Sequence, residues 1–159
     1  MTTGAQRAYV HSLRMLARRE LSEQQVRQRL ARKEYDDADI DEAIARLLEE
    51  RAIDDARVAE AIARTETSVR KRGKLRVKRQ IESAGISPAA AKHAVDELFD
   101  TIDSQALLES ALAKRLRGDR TIADDREFNR LYRYLVGQGF ESDRVLALLK
   151  RRNASRRQR

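Results

Sequence analysis

Apolar residues recur along the chain at helical spacing, with polar residues between them. Val26 and Leu30, Ile40 and Ile44, Val77 and Ile81, Ala91 and Val95, Leu131 and Leu135, and Val145 and Leu149 are all i,i+4 pairs, the interval that places two side chains on one helix face. No β-branched alternation is sustained over a strand length, so the pattern predicts an all-α fold. Helix punctuation then divides the chain. Ser22 with Gln25 forms a capping box, and Ser87-Pro88 sets a cap residue before a proline at the first helical position. Gly85, Gly118 and Gly139 stand where helices should stop. These signals predict nine helices: Ala8 to Arg19, Ser22 to Arg32, Asp39 to Glu50, Asp55 to Arg70, Lys74 to Ala84, Ser87 to Phe99, Ser104 to Leu116, Asp124 to Val136 and Ser142 to Arg152.

The nine fall into three sets of three. Val26, Leu30, Tyr35, Ile40 and Ile44 are spaced like Val77, Ile81, Ile86, Ala91 and Val95, and again like Leu131, Leu135, Phe140, Val145 and Leu149. The shift is 51 residues from the first set to the second and 54 from the second to the third. The first two positions seat a helix, the third plugs the turn, and the last two seat the returning helix. The expected architecture is an elongated array of three tandem three-helix repeats, at residues 8–51, 52–100 and 101–152, because a unit this small buries little surface alone. Residues 153–159 are expected to form a basic tail without regular structure. No heptad pattern is sustained long enough for a coiled coil, so a monomer is expected.

Composition supports thin helical layers over one large core. The 159 residues include three Phe, four Tyr and no Trp, and 38% are charged. The longest uninterrupted apolar run, Val145 to Leu149, is far short of the ~20 residues that span a bilayer. The first residues lack the apolar stretch of a secretory signal, so no membrane association and a cytoplasmic location are expected. There is no Cys, which removes disulfides, thiolate metal sites and a Cys nucleophile.

Charge is unevenly placed. Residues 1–68 carry 12 basic and 14 acidic side chains, and the remainder carry 22 and 12, so the net charge of +8 comes from the second part. Within it, Arg70, Lys71, Arg72, Lys74, Arg76, Lys78 and Arg79 form a run with no acidic residue among them. Such a run is either a solvated helix face or a contact for a polyanion. Local i,i+4 pairing explains a solvated face where it operates, as expected for Glu23 with Arg27 and Glu42 with Arg46. Glu66 can serve Arg70, and Glu82 can serve Lys78 or Arg79, which leaves Lys71, Arg72, Lys74 and Arg76 without a local partner and favours polyanion binding. At 100° per residue Arg76 and Arg79 point away from the Val77 and Ile81 face. The 54-residue shift carries Arg72, Arg76 and Arg79 onto Arg126, Arg130 and Arg133, so the third unit repeats this face. The 51-residue shift lands on Leu21, Gln25 and Gln28, so the first unit carries no charge there. The candidate binding residues are therefore Arg72, Lys74, Arg76, Lys78, Arg79, Arg126, Arg130 and Arg133.

Catalytic patterns are weak. Gly73-Lys74 is followed by Leu75 and has Ser68 where a phosphate loop needs its first Gly, so no such loop is expected. His11 and His93 read as packing or surface residues. Asp36, Asp37, Asp39 and Asp41 cluster at a helix start, where the helix dipole favours negative charge. No cofactor, metal or enzymatic activity is expected. Two other readings stay open: a stand-alone DNA-binding helix-turn-helix over Arg76 to Leu98, and a phosphodiester-cleaving site at Asp36 to Asp41.

Three segments carry a resemblance. Leu16 to Leu30 reads as an opening helix pair with a Ser-Glu-x-x-Leu type turn. Ala52-Ile53-Asp54-Asp55-Ala56-Arg57 reads as a Leu/Ile-Asp-Asp junction, and Lys78-Arg79-Gln80-Ile81 through Gly85-Ile86-Ser87 as an Arg-x-Glu-Leu to Lys-Gly-Ile segment. In this order they resemble the RecX family, small bacterial regulators of the RecA recombinase, from Ala8 to about Arg152. Val58 departs from the family's usual aromatic, and Lys74 from the Pro of a common Gly-Pro pair. The resemblance implies a modular array of three-helix units and no enzymatic activity. It also implies docking in the groove of the RecA-DNA filament, with inhibition of its ATPase, strand exchange and coprotease activities. The partners expected on this basis are the RecA nucleoprotein filament and, weakly and non-specifically, single- and double-stranded DNA.

Overall fold

The computed structural model describes residues 3–118 and 120–157, and among these it contains nine α-helices and no strand. They are α1 (Gly4–Leu16), α2 (Glu23–Ala31), α3 (Asp37–Glu49), α4 (Asp55–Ser68), α5 (Lys74–Ser83), α6 (Pro88–Thr101), α7 (Ser104–Leu116), α8 (Asp125–Gly137) and α9 (Ser142–Arg157). All nine expected helices are present, and two differ clearly in extent. α1 begins at Gly4 because the Thr3 hydroxyl caps it by accepting from the Gln6 N–H at 3.1 Å. α9 runs to Arg157, into the tail expected to lack structure, because the segment contains no Gly or Pro to stop it. Gln158 and Arg159 lie outside the described residues.

The repeating apolar set is the core. Of its fifteen members all but Tyr35 are buried, and Val26, Leu30, Val77, Ile81, Ala91, Leu135, Val145 and Leu149 are fully so. A second repeated feature lies in the backbone. Glu34, Gly85 and Gly139 occupy equivalent places after the second helix of each repeat, and all three are left-handed, with φ of 61°, 84° and 95°. The turn demands that conformation. Glycine adopts it without strain in the second and third repeats, whereas the first tolerates a glutamate.

The described residues form two compact units. One comprises the chain up to Ala61 together with Ile81–Ala94. In it α1 and α2 both pack on α3, enclosing Ala8, Tyr9, Leu21, Val26, Leu30, Ile40, Ala43, Ile44, Leu47 and Ile53. The other comprises Ile62–Gln80 and the chain from Val95 onward. Its core joins α7, α8 and α9 around Leu108, Leu112, Leu116, Ile122, Leu131, Leu135, Phe140, Val145 and Leu149.

Within the first unit the Ser22 capping box carries more than its own helix. The buried Ser22 hydroxyl accepts from the Gln25 N–H at 3.1 Å and donates to the Ala84 carbonyl, tying the start of α2 to the turn after α5. Replacing Ser22 by Ala removes the cap and leaves a buried carbonyl unpaired, an expected loss of about 2 kcal/mol. Urea unfolding should show a lower midpoint at unchanged slope.

Candidate functional site

All eight candidate cations lie in the second unit, and the fold sorts them into three groups. Arg126, Arg130 and Arg133 follow one another at i, i+4 and i+7 on α8, within about 60° of arc. All three are exposed, on the side opposite the buried Leu131 and Leu135. Arg130 stands 3.8 Å from Glu127 at the edge of this face.

Arg76 and Arg79 form the second group, on α5, and of the two only Arg79 points fully outward as expected. Arg79 is exposed, while Arg76 is half-buried and its Nη1 donates to the Gly137 carbonyl at 2.9 Å. The start of α5 is held against the turn between α8 and α9. The Gly73 N–H donates to the Gln138 carbonyl at 2.8 Å and the Leu75 N–H to the Gly139 carbonyl at 3.2 Å. A Cβ on Gly139 would stand 2.3 Å from the Arg76 nitrogen, and one on Gly73 would stand 2.6 Å from the Gly139 carbonyl carbon. Two backbones therefore touch here, and this contact sets where α5 presents its arginines.

The third group is committed to structure. Arg72 was expected to lack a local acidic partner, but its guanidinium pairs with the Glu66 carboxylate, which is buried and also takes Arg70 at 3.3 Å. Lys74 likewise has a partner, Asp96, at 2.7 Å. The expectation counted only neighbours in sequence, whereas Asp96 comes from α6, twenty-two residues along the chain. Lys78 is half-buried beside the apolar stripe of α5 and is engaged as well. Arg46 was expected to pair with Glu42 and instead pairs with Glu50 at 2.9 Å, because its guanidinium lies 3.7 Å from the centroid of the Tyr9 ring and Tyr9 donates to that same glutamate. The Glu23 and Arg27 pair forms as expected, at 2.9 Å, and Arg27 also reaches Asp41.

A buried carboxylate anchors the loop before α8. Glu127 accepts from Arg120 and from the Ala123 N–H at 2.7 Å, while its own N–H donates to the Asp124 cap at 2.7 Å. The Arg120 hydrogen bonds, helped by the Ala123 N–H, hold the Glu127 carboxyl below its ordinary value against the opposing effect of burial.

Sequence counting overlooked one arrangement, in the first unit. Arg7 and Arg14 recur at i and i+7 on α1, Arg18 and Arg19 follow its end, and α2 adds Arg29. All five line one cleft of about 700 Å³. The signal was present in the spacing of Arg7, Arg14 and Arg18, but a near-neutral total concealed it. Among the described residues no group of His, Asp and Glu could hold a metal ion, and the Asp-rich start of α3 complements the helix dipole and gives Asp41 to Arg27, with no cap bond from Asp36. No helix of the described residues is long and apolar enough to cross a membrane.

An all-helical chain with repeated three-helix spacing and exposed arginine faces belongs among helical repeat proteins that present charged surfaces. Comparison with known proteins narrows this. The pattern of the first three-helix domain of RecX matches residues 8–47. The regulatory protein RecX of Halorhodospira halophila is 31% identical over 86% of this chain and 82% of its own length. The Geobacillus kaustophilus regulatory protein RecX is 30% identical over 90% of the chain, which spans about half, 53%, of that relative. The crystal structure of RecX from Lactobacillus salivarius shares the fold, with a TM-score of 0.74 over 95% of this chain and 97% of that one at 20% identity. The chain belongs to the RecX family of regulatory proteins.

Two outcomes test the site's construction. Gly139→Ala forces a side chain into the left-handed turn and against the start of α5. It should lower the thermal midpoint and release amide protection at Gly73 and Leu75 in hydrogen exchange. The depressed Glu127 carboxyl contributes stability that is complete above the ordinary carboxylate range, ~4.3, and is lost as pH falls through its lower folded value. Glu127→Gln should therefore be less stable than wild type at neutral pH, with the gap closing on acidification.

Proposed function

We propose that this chain is a negative regulator of RecA that binds the RecA-DNA filament and inhibits its ATPase, strand exchange and coprotease activities. Membership of the RecX family supports the regulatory role. The observation that carries the site assignment is the pair of outward arginine groups, Arg76 with Arg79 and Arg126 with Arg130 and Arg133, which the repeat relates by one shift of 54 residues.

In this reading those guanidiniums meet DNA phosphates or the acidic surface of RecA, and the three repeats, 8–51, 52–100 and 101–152, act as modules of one monomeric, cytoplasmic inhibitor. Arg72, Lys74 and Lys78 then act indirectly, by holding the basic segment in place. Arginine suits the role because its planar fork binds phosphate and carboxylate oxygens in pairs. DNA binding by these groups is weak and indifferent to sequence, since few aromatics are available to stack on bases.

RecA ATPase on single-stranded DNA, titrated with this protein, is the direct test. Wild type should suppress turnover, and the triple change Arg126→Ala, Arg130→Ala, Arg133→Ala should raise the half-inhibiting concentration about tenfold, the equivalent of one or two lost charge-assisted contacts. The exposed pair Arg32→Ala, Lys33→Ala in the first unit is the control for net charge. An equal loss from that control would reject the arginine faces, and no inhibition by wild type at saturation would reject the function. Neutralising about four phosphates should give DNA affinity a log-log salt slope near −3. Preference for one duplex sequence would favour a helix-turn-helix repressor instead.

A further inference from the structure

The first unit carries a charged cleft that the proposed function does not use. Among the described residues, Arg7, Arg14, Arg18, Arg19 and Arg29 line it, and no carboxylate pairs with any of them. Four of the unit's acidic side chains hold other partners. Glu23 and Asp41 hold Arg27, Glu50 holds Arg46 and Tyr9, and Glu20 holds Arg57. Five like charges around one concavity repel one another, and an anion seated among them relieves that repulsion.

The cleft is not purely ionic. Val10 and Met15 supply apolar wall, and His11 and Tyr35 meet edge to face with ring centroids 6.0 Å apart and the Tyr35 hydroxyl 3.4 Å from His11 Nδ1. Tyr35 is the single member of the fifteen-residue apolar set that is not buried, so the repeat yields a core position to this cleft. Its counterparts Ile86 and Phe140 are buried.

We propose that this cleft binds single-stranded nucleic acid, with the guanidiniums on successive phosphates and one base turned in against Tyr35, His11 and Met15. Every charged group lining it is Arg, the side chain suited to phosphate oxygens. A duplex keeps its bases stacked inside and would offer this concave wall only phosphates, whereas a single strand can turn out a base onto an aromatic ring. The helical part of the stripe, Arg7 to Arg14, extends ~10 Å at 1.5 Å per residue and Arg18 and Arg19 continue beyond it, a length that favours a strand of several phosphates over a free nucleotide. The site is separate from the arginine faces of the second unit and stands or falls independently of them.

Ultraviolet crosslinking of the full chain to a short oligothymidylate, read by mass spectrometry, locates the strand. Crosslinks at Tyr35, His11 or Met15 are expected. Crosslinks confined to residues 62–80 and 125–137 would overturn this site while leaving the proposed function intact. In solution, Arg14→Ala with Arg18→Ala should flatten the log-log salt slope by about 1.4, from two phosphate contacts at roughly 0.7 each, with helical content unchanged because both side chains are exposed. An unchanged slope would count against the site. Tyr35→Leu should weaken binding about tenfold and Tyr35→Phe should restore it, since stacking needs the ring and not the hydroxyl. Equal loss in both would mean the residue only supports the fold, and the base contact would be wrong. Thymidine monophosphate should compete poorly. If it displaced the strand at matched nucleotide concentration, the ligand would be a free nucleotide and the strand assignment would fail.

Discussion

A chain of 159 residues with seven aromatic side chains and no Trp has little bulk with which to fill a deep core. Its buried surface must come from Leu, Ile, Val and Ala packed in thin layers, and every other feature follows from where those residues stand. Five positions recur three times, and fourteen of the fifteen occupants are buried. Short helices with one apolar stripe can be covered only by neighbouring helices. The remaining arc of each helix is left to charge, which is why a protein that is 38% charged still folds.

Much of that charge is not available for binding. Glu66 and Glu127 are buried carboxylates held by arginines: Arg70 and Arg72 on the first, Arg120 on the second. A buried carboxylate without a cation would be costly, so these arginines are structural obligations of the acids they serve. What remains for a partner is the subset pointing outward and not hydrogen-bonded to a buried acid. In the second unit that subset is centred on α8 and Arg79, and in the first on the cleft beside α1. A formal net charge counts both kinds alike, so it measures the potential for polyanion contact poorly.

Backbone contact determines how the second unit's face is presented. Gly73 and Gly139 allow the start of α5 to meet the turn between α8 and α9 closely enough for two main-chain hydrogen bonds. The left-handed turn at Gly139 is shared with Gly85 and Glu34, and its close approach to a helix start recurs at Gly85, where a Cβ would stand 2.6 Å from Gln24 at the start of α2. A structural requirement of the repeat is thereby reused to orient Arg76.

The helices, their near boundaries and the three-fold repeat were legible in the chain because each depends on short-range periodicity and capping, as Val26 with Leu30 and Ser22 with Gln25 show. The outward direction of Arg79 and of the α8 arginines was legible for the same reason, since a helix converts spacing into angle. Lys74 was misjudged because Asp96 reaches it from another helix, and Arg72 because Glu66 lies across a turn that helical spacing does not describe. The arginine cleft of the first unit escaped notice because twelve basic and fourteen acidic residues cancel in a sum but not in space. Sequence alone therefore determined which faces are apolar and which are charged. Only the tertiary structure decided which charges are paired, because pairing depends on distances between elements that local periodicity does not set.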